Sequence, residues 1–178
     1  AAADIDRDGD LDLFLGGRVV PGQYPIAPAS RLLVNEGGSF RDATPTLAVG
    51  LGRTGLVTGA VFADLDGDGW QDLLLAREWD SIAYFHNNDG VFTEQSERAN
   101  LAPLTGWWNG IAVGDLDQDG DLDLVTMHGR VLRGAIDPRA EGLDYWKPYG
   151  EENHLFINDG TGKFERQQFG FGRANGRV

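Results

Sequence analysis

The chain has 178 residues with 28 acidic and 15 basic side chains, a formal charge of −13, 26 Gly, seven Pro and no Cys. That length allows one domain with a sizeable core; the missing cysteines exclude disulfide staples, thiol catalysis and Cys-rich zinc sites. The acidity leaves no basic patch to meet nucleic-acid phosphates, and no apolar run reaches the roughly 18 residues that span a bilayer.

Residues 4–13 read DIDRDGDLDL, an Asp-x-Asp-x-Asp-Gly-x-x-Asp-Leu motif. Its last residues open an apolar run through Leu15, too short for a buried helix and read as a strand. The connector 16–30 carries Pro21, Pro25 and Pro28 and reads as an extended surface loop. Residues 33–40 then give an apolar pair, Asn35, a Gly-Gly turn and Phe40, which predicts a hairpin because Asn and Gly tolerate positive φ.

The cycle repeats. Gly55 and Gly59 punctuate a strand that enters the second motif, residues 64–73 (DLDGDGWQDL), and an apolar strand 73–76 leaves it. A second hairpin follows at 84–92 around Asn87. Gly106 and Gly110 mark the strand into the third motif, residues 115–124 (DLDQDGDLDL), with a third hairpin at 156–164 around Asn158. Between them lies the long connector 129–152, with Tyr145, Trp146 and Tyr149; ordered loops of this length are often functional. Residues 170–178 resemble the strand that begins at Gly106.

Each repeat thus predicts strand, acidic loop, strand, connector, strand, hairpin, strand. Four antiparallel strands per repeat describe a propeller blade. The expected fold is all-β: one domain, 1–178, of about three blades, open or part of a larger propeller or assembly. The blades fall near 1–54, 55–105 and 106–169. The first lacks its entering strand, and 170–178 supplies the entering strand of a following blade.

Calcium takes six to eight oxygens, and alternate carboxylates in a Gly-bent loop can wrap them around one point. The candidate ligands are Asp4, Asp6, Asp8 and Asp12; Asp64, Asp66, Asp68 and Asp72; and Asp115, Asp117, Asp119 and Asp123. Asp10, Trp70 and Asp121 offer main-chain carbonyls at loop position 7. Three Ca²⁺ ions would bring the charge to about −7. An EF-hand is excluded, because Leu15, Leu75 and Thr126 stand where its bidentate Glu belongs.

The triple motif with its flanks resembles the FG-GAP/VCBS repeat family, the calcium-loop propeller repeats also seen in integrin α-subunit heads. Segments such as 16–22, 30–33 and 106–109 are similar to the bacterial group related to cartilage acidic protein. The resemblance implies an extracellular or cell-surface protein in adhesion, ligand binding or assembly, generally without catalysis. Family propellers have about seven blades, so three leave closure to other copies or to the rest of a larger propeller.

His86, His128 and His154 show no metal-like spacing and read as surface or hairpin residues. Glu78, Glu151 and Glu152 show no spacing that favours glycoside chemistry. Trp107 and Trp108 read as packing between blades. Tyr145, Trp146 and Tyr149 are the better candidates to bind a ligand such as a glycan or a cell-surface protein. Three functions follow: a secreted, non-catalytic calcium-binding repeat protein in adhesion or assembly, with head-to-tail polymerisation through the terminal strand as its sharper form; a lectin-like module; or the accessory domain of a secreted enzyme.

Overall fold

The computed structural model describes residues 1–129 and 153–167. Twelve strands run in chain order among them. The first sheet is β1 (Ala2–Ala3), β2 (Asp12–Leu15), β3 (Arg31–Asn35) and β4 (Phe40–Asp42), in the order β1-β2-β3-β4. The second group is β5 (Leu56–Ala63), β6 (Asp72–Ser81), β7 (Ala83–Asn88) and β8 (Val91–Glu94). The third is β9 (Thr105–Gly114), β10 (Asp123–His128), β11 (His154–Asn158) and β12 (Phe164–Gln167). All pairings are antiparallel, so the fold is all-β and propeller-like, one four-stranded unit per sequence repeat.

Two details differ from the sequence reading. The strand entering the first acidic loop is short rather than missing: Ala2 pairs with Leu13 and Ala3 with Asp12. The second and third blades are fused into one eight-stranded sheet. Strand β6 runs on past the expected end at Ala76, bulges at Trp79, and pairs Glu78, Asp80 and Ser81 with Trp107, Gly106 and Thr105 of β9. A bulge of this kind adds a residue and bends the strand, which lets one strand serve two neighbours. The strand 170–178 lies outside the described residues, as do Glu151 and Glu152. Among the described residues, no helix is long and apolar enough to cross a membrane.

The side chains explain why blades stack. Strand residues alternate between faces, so each blade has one apolar face toward the blade before it and one toward the blade after. Ile5, Phe14, Leu32 and Val34 of the first blade pack with Leu73, Leu75, Phe85 and Phe92 of the second. On the other side of the second blade, Leu65, Leu74, Ala76 and Tyr84 pack with Leu124, Phe156 and Phe164 of the third. At about 25 cal/mol per Å² of buried apolar area, these two layers are the main stabilising contribution of the fold.

Candidate metal centres

Each acidic loop links the first strand of a blade to its second, and the three loops share one hydrogen-bond web. The position-1 carboxylate accepts the N–H of the position-6 glycine: Asp4 from Gly9 (3.1 Å), Asp64 from Gly69 (2.9 Å) and Asp115 from Gly120 (3.2 Å). Position 3 accepts from position 5: Asp6 from Asp8 (3.3 Å), Asp66 from Asp68 (3.3 Å) and Asp117 from Asp119 (3.2 Å). Position 5 accepts from position 7: Asp8 from Asp10 (2.8 Å), Asp68 from Trp70 (2.7 Å) and Asp119 from Asp121 (3.0 Å). Such side chain-to-backbone bonds curl a chain locally. The curl needs left-handed backbone at position 6, where φ is +93°, +85° and +102° at Gly9, Gly69 and Gly120. Position 4 is also left-handed, at Arg7, Gly67 and Gln118.

The curl gathers oxygens. Asp4, Asp6 and Asp8 bring ligand atoms within 4.8 Å of one another; so do Asp115, Asp117 and Asp123, and Asp66, Asp68 and His86. Crowding has an electrostatic cost. Burial, with Asp12 and Asp8 nearby, raises the Asp6 carboxyl above its ordinary value; burial and Asp119 do the same to Asp117. A cation would reverse that penalty.

The fourth aspartate of each loop is fully buried and plays a second part. Asp12 accepts the N–H of Ile5 on one oxygen (2.9 Å) and that of Asn35 on the other (2.8 Å). Asp123 does the same for Leu116 (2.8 Å) and Asn158 (3.0 Å). Asp72 takes Leu65 (3.2 Å) and Asn87 (2.8 Å), and adds the Tyr84 hydroxyl and His86 Nδ1, both at 3.0 Å. Burial still raises the Asp72 carboxyl, against those four bonds. Position 9 therefore ties the loop to the hairpin of its own blade.

The hairpin asparagine then reaches the previous blade. Asn87 Nδ2 donates to the carbonyls of Ile5 (2.9 Å) and Gln71 (3.1 Å). Asn158 Nδ2 donates to those of Leu65 (2.7 Å) and Leu122 (3.1 Å). Sequence reading took these asparagines only as turn residues. It also missed His86 beside the second loop, and Arg7, which lies 3.8 Å over the Trp70 ring of the next loop. No local signal marked them, because all three meet their partners across blades or strands.

The FG-GAP-like repeat description matches residues 4–75 and again 64–126, together more than half of the sequence. The chain belongs to the FG-GAP-like repeat family. Its two matched spans begin at the first and second acidic loops and end in β6 and β10, the strands that leave the second and third. The match does not extend to the bacterial group related to cartilage acidic protein. No match was found among curated proteins.

Away from the loops, Trp108 is buried, and its indole N–H donates to the Asp80 carbonyl (2.8 Å). Trp107 is buried too, 4.6 Å edge-on to Trp79, which is half-exposed. Tyr145, Trp146 and Tyr149 lie outside the described residues.

Proposed function

We propose that this FG-GAP repeat chain is a non-catalytic, calcium-braced β-repeat module that works outside the cell in adhesion or assembly. The observation that carries the calcium reading is at Asp4. Its Oδ1 is buried without a hydrogen-bond partner, inside the Asp4–Asp6–Asp8 cluster. A buried carboxylate oxygen in that state is costly unless a cation meets it. Positions 1, 3, 5 and 9 would supply carboxylate oxygens and Asp10, Trp70 and Asp121 main-chain carbonyls, a hard-oxygen set suited to calcium. The ion would act as a brace, since the loop web already joins two strands and a hairpin. The partners proposed are other copies, the rest of a larger propeller, or a cell-surface ligand.

Calorimetric titration of chelator-treated protein tests this reading. Three Ca²⁺ per chain are expected, with Mg²⁺ much weaker and the melting temperature raised by calcium. No binding heat together with an unchanged melt refutes it.

A lectin-like reading has one observation in its favour. Trp79 sits at the β6 bulge with φ +64°, a strained setting for an aromatic residue. Its indole N–H donates to the Tyr24 hydroxyl (2.6 Å), and that hydroxyl donates to Glu78 (3.2 Å), which Arg18 pairs. Glycan-array binding abolished by Trp79→Ala would support it; an empty array would remove it.

A further inference from the structure

The second acidic loop differs from the other two in one donor. Around the first and third loops the clustered groups are all carboxylates: Asp4, Asp6 and Asp8, and Asp115, Asp117 and Asp123. Around the second, the cluster is Asp66, Asp68 and His86. His86 is the residue before the hairpin asparagine of β7, where the other blades have Val34 and Ile157. Its Nδ1 lies 3.0 Å from Asp72 Oδ1 and 3.7 Å from Asp66 Oδ2. Asp72 does not need this imidazole to be satisfied. Asp12 and Asp123 each hold two backbone N–H groups without one, and Asp72 holds the same two with the Tyr84 hydroxyl added. The imidazole is 17% exposed and Asp68 is exposed, so an ion can reach the cluster from solvent. Both neighbouring blades are in place around it: Arg7 of the first stacks on Trp70, and Asn158 of the third holds the Leu65 carbonyl.

We propose that the second loop is a mixed imidazole–carboxylate site that exchanges calcium for a first-row transition-metal ion, Zn²⁺ above all, held by His86 Nδ1, Asp66 and Asp68. Calcium is a hard cation that takes oxygen and gains little from a ring nitrogen. Zinc accepts imidazole and carboxylate together, and three such protein donors with a water make its ordinary set of four. The imidazole binds as the neutral ring, with its hydrogen on Nε2. The first and third loops offer oxygen alone and keep calcium. In calcium without zinc all three loops fill, so the stoichiometry given above stands. This inference rests on the reading of the loops as cation sites and sets one of the three apart from the others.

Zinc titration of tag-free, chelator-treated protein in about 1 mM calcium tests it, with the ring signals of the three histidines followed by NMR. One Zn²⁺ per chain is expected, with shifts confined to the His86 ring and one calcium ion released. His86→Val, which installs the first blade's residue, weakens zinc binding by ~100-fold and keeps calcium at the first and third loops. Asp66→Asn leaves the His86–Asp72 contact in place and weakens zinc by about 10-fold or more. Zinc held equally well by the wild type and by either variant overturns the proposal. So does zinc that shifts only the His128 and His154 rings. A wild type that takes three calcium ions and no zinc overturns this inference alone; one that takes neither ion overturns the calcium reading with it.

Discussion

Truncating the three hairpin asparagines separates bonds between blades from bonds within them. Asn158→Ala strips a donor from the Leu65 and Leu122 carbonyls, and Asn87→Ala from those of Ile5 and Gln71. Each carbonyl left without a partner in a buried setting costs about 1–3 kcal/mol, so each change should cost about 2–4 kcal/mol. Asn87 falls at the lower end, because its buried Oδ1 has no hydrogen-bond partner and losing it recovers some solvation. Asn158 Oδ1 accepts from the Gly160 N–H (3.2 Å), so its loss is felt in full. Asn35→Ala removes two exposed bonds, one to the Leu11 carbonyl (3.3 Å) and one from the Gly38 N–H (2.8 Å), both replaceable by water, and should cost only ~0.5 kcal/mol. Urea unfolding with saturating calcium reads the difference. With a slope of about 2 kcal/mol per M, the midpoint falls by about 1–2 M for the first two and by ~0.25 M for Asn35. Equal shifts at all three positions would refute the claim that the asparagine amide joins neighbouring blades.

Three further outcomes are expected. Gly120→Ala meets open space, yet at φ +102° it should lose about 1–2 kcal/mol from backbone strain alone, read by thermal melting; a loss below ~0.3 kcal/mol would show that the loop does not need this conformation. Arg77→Met deprives the Ser81 carbonyl (2.8 Å), the Thr54 carbonyl (3.1 Å) and the Ser81 hydroxyl (3.0 Å) of a buried donor; it should cost ~3 kcal/mol, with no rescue by Lys, which lacks the planar fork. His154 is held down to about 4 by burial, with Arg166 and His128 adding repulsion. Its unfolded form binds the proton first, so this contribution is complete above the ordinary value near 6.5 and fades as pH falls toward 4. The wild type should therefore lose up to about 2–3 kcal/mol more than His154→Gln across that window; parallel pH profiles would rule the histidine out.

The acidic loops, the strands beside them and the hairpins were legible because local chemistry specifies each. Alternating Asp with Gly at position 6 is a loop signal wherever it occurs, and Asn-Gly turns between apolar runs are hairpin signals. The missed features are products of packing. Strand β6 continues to Ser81 because β9 offers it partners beyond the Trp79 bulge, and nothing local to Arg77 or Glu78 marks that pairing. Sequence could place Asp12, Asp72 and Asp123 at position 9 of their loops. It could not place them fully buried, holding backbone N–H groups 7 and 23, 15 or 35 residues away.

Loop position 2 is where the acidic loop and the blade packing meet. In the first two loops one residue carries three connections. The N–H of Ile5 or Leu65 is held by the buried aspartate of its own loop. Its side chain lies in the core shared with the next blade. Its carbonyl accepts the asparagine of the next hairpin. A displacement of the loop is therefore transmitted to the neighbouring blade by bonds to a single residue, with no long-range network required. Without a cation, repulsion among the position 1, 3 and 5 carboxylates pushes on this same segment. Calcium bound at the loops would then strengthen contacts between blades that touch no metal. In the third loop, the N–H of Leu116 is held in the same way by Asp123, and among the described residues the other two connections have no counterpart there.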